Sequence, residues 1–211
     1  ENKDNSQFID MSLAKDIEAY FQENGIDHEK VAYCITDLEH NIKYSMNEKD
    51  EFIAASIYKL PLAMLYYDKV NEGEYTLDST FTYSGYMHED AGVISSDYGI
   101  GSQVPLSDLL NDLIIYSDND AGHILYENLG GWKEYKEAMT KYTDSISENY
   151  YTMDNVTTAN TMNDVVTYLY DHKEDYKGLI KNMEEAEPGE YLDRDTQLSM
   201  PQKYGMYDSA L

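Results

Sequence analysis

Arginine is nearly missing from this chain. Arg194 is the only one in 211 residues, and 15 lysines and arginines stand against 41 aspartates and glutamates, for a formal net charge of -26. That imbalance argues against nucleic acid or an anionic membrane as a partner, because either needs clustered cations. The acidity reads instead as a solubilising surface. Cysteine is reduced to Cys34, which excludes a disulfide framework and a thiolate metal cluster. No apolar run reaches the ~18 residues that a membrane-spanning helix needs. The polar start, Glu1-Asn2-Lys3-Asp4-Asn5-Ser6-Gln7, is unlike a signal peptide and reads as a linker left after a signal or anchor was removed. The five histidines form neither H-E-x-x-H nor H-x-x-x-H, so a zinc hydrolase is not indicated. No G-x-S-x-G elbow occurs. Gly99-Ile100-Gly101 lacks a preceding strand and a following lysine, and reads as a turn rather than a phosphate loop. No cofactor is called for, and no repeat or low-complexity tract interrupts the chain.

What is present is enough apolar material, 42% of residues, to bury a core as one domain or two closely joined lobes. The 22 tyrosines read as packing residues with wet hydroxyls rather than as a carbohydrate or peptide surface. Leu13, Ile17, Tyr20 and Phe21 recur at helical spacing up to Asn24-Gly25, predicting a helix over 12–24. Val31, Tyr33 and Ile35 then alternate with Ala32, Cys34 and Thr36, and Glu39-His40-Asn41 turns the chain into Ile42–Met46, which predicts a hairpin. On its strand Cys34 is expected to be a small buried hydrophobe.

From about Ala55 the pattern turns helical. Leu60, Leu62, Ala63, Met64, Leu65, Tyr66 and Tyr67 leave no polar face, the mark of a helix buried on all sides, and Pro61 is tolerated only near its start. Residues 74–104 read as loop. Ser107 is expected to cap a helix carrying Leu109, Leu110, Leu113 and Ile114, and the next, with Ala121, Ile124, Leu125 and Leu129, ends at Gly130-Gly131. Further helices are predicted over 132–141, 161–171 and 175–185, and a strand over 196–203. The layout predicts an α+β fold, in which an antiparallel sheet built from the two ends of the chain carries an all-α lobe from its middle. The expected organisation is a single domain, 1–211, with a sheet lobe of 12–52 and 190–211 and a helical lobe of 53–189.

Three polar motifs lie along this frame in a telling order: Ser56-Ile57-Tyr58-Lys59, Ser117-Asp118-Asn119 and Lys203-Tyr204-Gly205. An S-x-x-K arises about once by chance in a chain of this composition, as Ser12-Leu13-Ala14-Lys15 shows, whereas S-D-N is expected only ~0.1 times. Three apart on a helix, Ser56 and Lys59 lie on one face. A serine hydroxyl needs a base to become a nucleophile. Burial and a second cation such as Lys203 favour the neutral amine that can serve as that base. Ser117 is placed to relay the proton, Asn119 to hold a substrate amide, and the helix start at Ser56 to offer N–H groups to an oxyanion. The alternative for each is structural: Ser56 and Asp118 as caps, Lys59 as a snorkelling cation and Lys203 as surface charge.

The segment Phe52-Ile53-Ala54-Ala55-Ser56-Ile57-Tyr58-Lys59-Leu60-Pro61-Leu62 resembles the nucleophile helix of class A β-lactamases and their penicillin-binding relatives. Tyr116-Ser117-Asp118-Asn119-Asp120-Ala121 resembles their S-D-N turn, Leu129-Gly130-Gly131 the end of the following helix, and Thr157-Thr158-Ala159-Asn160-Thr161-Met162 the threonine-rich start of a later helix. The resemblance implies a β-lactamase-like fold, with Ser56 as nucleophile, Lys59 as base and Ser117 as proton relay. It implies Asn119, Lys203, Tyr204, Gly205 and Met206 as substrate-facing residues, with the N–H groups of Ser56 and Met206 as oxyanion hole.

The sequence departs from that family in three places. Tyr204 stands where the family carries Thr or Ser, removing the small hydroxyl that meets a substrate carboxylate. No E-x-x-L-N lies between 131 and 157, which leaves Glu148, Asp154 and Asp144 as the nearby carboxylates. The sequence ends at Leu211, before the family's last two strands and final helix, which are expected to be left out, disordered or contributed by another chain. The reading is a β-lactamase-like serine hydrolase acting outside the cytoplasm on a β-lactam or cell-wall-peptide-like amide through an acyl-enzyme. Its rivals are a D,D-peptidase or slowly deacylating penicillin-binding protein, and a non-catalytic binding domain on the same fold.

Overall fold

The structure is a computed structural model, and it describes residues 12–85, 92–152 and 154–207. The expected linker over 1–7 lies outside them. Helix α1, Ser12–Glu23, is followed by the hairpin β1, Tyr33–Asp37, and β2, Ile42–Met46. Its antiparallel register runs from Tyr33 opposite Met46 to Asp37 opposite Ile42. The turn is set by Asp37, whose carboxylate accepts from the N–H groups of Glu39 and His40, both at 3.0 Å, and by Asn41, which takes the left-handed backbone that asparagine tolerates. Cys34 is half-buried rather than enclosed, because the hairpin is covered chiefly on the side facing the helix Ala159–Asp171.

Strand β3, Phe52–Ile53, leads into a 3₁₀ turn, Ala55–Tyr58, and then α2, Lys59–Asn71. Every residue of α2 from Lys59 to Tyr66 is buried, as the unbroken apolar run predicts. Around it pack α4 (Leu106–Ile115), α5 (Asn119–Asn128), α6 (Trp132–Met139) and α8 (Lys177–Glu185). Between α6 and α8 come β6, Val156–Thr157, and α7, Ala159–Asp171. Strand β6 pairs antiparallel with β3, Phe52 opposite Thr157. Several tyrosines pack in the core as expected, and three of these place their hydroxyls on protein acceptors, while others such as Tyr20, Tyr116 and Tyr151 are exposed. Tyr66 donates to Leu125 O at 2.7 Å, and Tyr142 and Tyr176 both donate to Asp68 at 2.5 Å.

The structure corrects three details of the sequence reading. Residues 74–104 are not all loop: β4, Thr80–Thr82, pairs with β5, Gln103–Pro105, and α3 spans Val93–Asp97. These elements are too short for a periodic pattern, and are held by burial of Phe81, Val104 and Ile94. Ser107 does not cap α4. Pro105 occupies that position and β5 runs straight into the helix, with Leu106 N donating to Ser79 O at 2.8 Å. Finally, 196–203 is not a strand, and the hairpin gains no partner from it among the described residues. Among the described residues the sheets are three two-stranded antiparallel pairs. The segment is tied to the end of α8 instead, since Gln202 N donates to Met183 O at 3.0 Å and its side-chain amide donates to Ala186 O and Glu187 O, both at 2.9 Å. No helix among the described residues is long and apolar enough to cross a membrane.

Candidate active site

Ser56 and Lys59 meet because the 3₁₀ turn delivers the serine directly onto the first residue of α2. Lys59 is fully buried. Its Nζ lies 3.1 Å from Ser56 Oγ, donates to Ser117 O at 2.5 Å and to Asn119 Oδ1, and lies 3.4 Å from Ser117 Oγ. Lys203 comes from the opposite side, donating to Ser117 Oγ at 2.9 Å and to Tyr204 O at 3.0 Å. Burial, followed by repulsion from Lys59, lowers the Lys203 amine from its usual range to about 7. Three sequence-distant motifs thus share one hydrogen-bonded chain, Ser56–Lys59–Ser117–Lys203.

The second motif holds its shape through Asp118. Its carboxylate accepts from Ala121 N at 2.8 Å, capping α5, and from Ile94 N at 3.1 Å, tying the turn to α3. The structural reading of Asp118 as a local cap therefore stands, and the cap is what presents Ser117 and Asn119 to Lys59. Ser117 takes a left-handed backbone (φ 56°), as does Ala55 (φ 47°) just before Ser56. Such strain persists in non-glycine residues only where the surroundings over-determine it, and it clusters at functional sites. On α5, a Cβ added to Gly122 would lie 2.6 Å from the Tyr58 hydroxyl and 3.5 Å from Lys59 Cε. Glycine there lets α5 close on the lysine stem.

The third motif lies across the serine. A Cβ added to Gly205 would stand 2.7 Å from Ser56 N, 3.0 Å from Ala54 O and 3.0 Å from Ile57 N. Tyr204 stacks its ring on that of Tyr191, at 4.6 Å and 12°, with Lys203 Nζ 4.4 Å from the Tyr204 centroid. Burial and then Glu187 push the Tyr204 phenol up. Met206 is exposed, and its sulfur accepts from the Tyr191 hydroxyl at 3.6 Å.

A family model for the β-lactamase enzyme family matches residues 12–210. The chain belongs to that family. Solved structures agree on the fold. A β-lactamase from Chitinophaga pinensis superposes with a TM-score of 0.75 at 20% identity, over 92% of this chain and 79% of that one. The TLA-1 extended-spectrum β-lactamase gives 0.70 at 23% identity, over 84% and 70%. The D-alanyl-D-alanine carboxypeptidase DacD from Francisella tularensis gives 0.57 at 19% identity, over 70% of this chain but only 38% of its own. The β-lactamase-like α+β fold expected from the sequence is thereby established.

Of the carboxylates between 131 and 157, Asp144 and Glu148 are exposed and line an open hollow with Lys49, Asp50 and Glu51 that includes none of the motif residues. Asp154 is exposed as well. What this interval lays against the serine's turn is Asn155, whose amide donates to Ala55 O at 2.8 Å and whose carbonyl accepts from Ala54 N at 2.8 Å. Sequence reasoning missed Asn155, Tyr191 and Gln202. Only Asn155 carried a signal, its place two residues before the threonine-rich segment.

Proposed function

We propose that this chain is a serine hydrolase that is acylated on Ser56 by β-lactams or cell-wall-peptide-like amides and releases the acyl group slowly. The observation that carries the proposal is the hydrogen-bonded chain from Ser56 Oγ through Lys59 and Ser117 to Lys203. Ser117 O and Asn119 Oδ1 only accept hydrogen bonds, so they occupy two N–H groups of Lys59. The remaining valence faces the hydroxyls of Ser56, at 3.1 Å, and Ser117, at 3.4 Å, each of which can donate or accept. An amine that has lost one proton therefore keeps both carbonyl partners and turns its lone pair to the Ser56 hydroxyl. In that state Ser56 Oγ attacks the amide carbonyl as its proton passes to Lys59. Ser117, bonded to both lysines, returns a proton to the amide nitrogen as the C–N bond breaks, leaving an ester on Ser56. Asn119, Lys203, Tyr204, Gly205 and Met206 face the substrate in this reading, and the N–H groups of Ser56 and Met206 receive the oxyanion.

Release needs a water that is positioned and deprotonated over the ester, and a missing general base forfeits about 10²–10⁴ in rate. The Asn155 amide at the serine's turn and the exposure of Asp144, Glu148 and Asp154 support slow release. They favour a penicillin-binding protein or D,D-peptidase as the second reading. Residues 1–211 are read as one domain acting outside the cytoplasm, with 53–189 as its helical lobe. Intact-mass measurement during incubation with a penicillin tests the proposal. A persistent adduct that Ser56→Ala abolishes is the expected result, a transient one means efficient turnover, and no adduct refutes acylation and leaves a binding domain.

A further inference from the structure

The interval that lacks E-x-x-L-N is pinned from below by one buried cation. Lys136 on α6 is 3% exposed, and its Nζ donates to the carbonyls of Tyr150 at 2.6 Å, Thr152 at 2.8 Å and Asp154 at 2.5 Å. An ammonium has three hydrogens, and all three are used on alternate residues of a single loop. The rings of Trp132 and Tyr150 flank it, 5.4 and 5.1 Å from Nζ to their centroids. A buried charge is costly unless its partners are complete, and here they are all backbone, so what this lysine specifies is the path of the chain.

That path ends at the candidate nucleophile. Directly after Asp154 comes Asn155, with its two bonds to the backbone of Ala54 and Ala55. Val156 and Thr157 follow, paired with Ile53 and Phe52. Ala55 holds a left-handed conformation between these contacts and Ser56, a state that needs outside support.

We propose that Lys136 is a positioning residue: by gathering the carbonyls of residues 150, 152 and 154 it presents Asn155 to the Ala54–Ala55 backbone and so holds Ser56 in its turn facing Lys59. The catalytic significance rests on the acyl-enzyme reading of Ser56, whereas the positioning itself is measurable without it. A lysine suits the task because one compact ammonium meets three carbonyls converging on a point, which a planar guanidinium does not match.

Hydrogen exchange of the full chain, followed by mass spectrometry, provides the test. Lys136→Met keeps the apolar stem and removes every donor. Exchange should rise at least about tenfold in peptides covering 150–157 and also in those covering 52–58, with α4 unchanged. Faster exchange confined to 150–157 overturns the proposal. Should Lys136→Met fail to fold, Asn155→Ala decides. It removes one side-chain bond and should speed exchange in 52–58 roughly fivefold, and an unchanged 52–58 overturns the proposal. Acylation by a penicillin adds a functional readout. If Lys136 acts through Asn155, the double variant acylates no more slowly than Lys136→Met alone, whereas multiplying losses mean independent action and refute the link. A wild-type chain that takes no adduct sinks the acyl-enzyme reading only, because the exchange data still decide the role of Lys136.

Discussion

Gly205→Ala isolates the geometry of the third motif better than any charge change. Glycine 205 is not in the left-handed region, so an alanine brings no backbone strain, and its whole effect is one methyl group. That methyl would stand 2.7 Å from Ser56 N and 3.0 Å from both Ala54 O and Ile57 N, where ordinary contact begins near 3.4 Å. All three neighbours are backbone, so no rotamer change relieves the clash, and the 203–206 segment must retreat by about 0.7 Å. The retreat carries Lys203 away from Ser117 Oγ. A misplacement near 1 Å at a reacting centre costs about 10² in rate, so acylation by a chromogenic or fluorescent β-lactam should slow about 10²-fold. Thermal stability should change little, because the segment is tied down by Gln202 rather than by core packing. Gly189→Ala is the control. It has open space around it but a φ of 81°, so it should cost about 1 kcal/mol of stability and leave acylation alone. Wild-type acylation by Gly205→Ala would refute the placement of the third motif over Ser56.

Lys59→Arg should suppress acylation severely at neutral pH, since a guanidinium stays protonated and cannot take the serine proton; labelling at the wild-type rate would sink the lysine-base assignment. Lys203 binds its proton with a pKa of about 7 when folded and near 10.5 when unfolded. The unfolded chain therefore holds more protons between those values, and stability should rise with pH across that window by up to about 1.4 kcal/mol per unit. Urea unfolding at several pH values should show this component vanish in Lys203→Met, and parallel curves for the two proteins would contradict it. Asp68→Ala leaves the hydroxyls of Tyr142 and Tyr176 and the ammonium of Lys141 without their shared acceptor. It should cost about 3 kcal/mol in denaturant unfolding while Ser56 acylation at saturating β-lactam is unchanged, and a loss below 1 kcal/mol would show that the network contributes little.

Much of this protein is legible along the chain because its information is local. The apolar run from Leu60 to Tyr67 announces a helix with no solvent face, the alternation around Tyr33 and Ile42 a hairpin, and Gly130-Gly131 a helix end, each through spacing between near neighbours. The order of the three motifs likewise names the family before any contact is known. The structure alone decides what depends on distant partners. Residues 196–203 have the composition of a strand, yet Gln202 finds the open carbonyls at the end of α8, and a strand without a ladder partner does not form. Tyr204 stands in the motif position of a small hydroxyl, and only the stack on Tyr191 shows where its ring goes. Lys136 reads as one more cation on an amphipathic helix until the fold brings three carbonyls to it. The sequence by itself determined the longer helices, the hairpin and the chemical groups, because propensity and motif spacing act over a few residues. Which donor meets which acceptor across 14 to 100 residues was decided by the closed fold, because a buried polar group must be satisfied by whatever the packing places within about 3 Å.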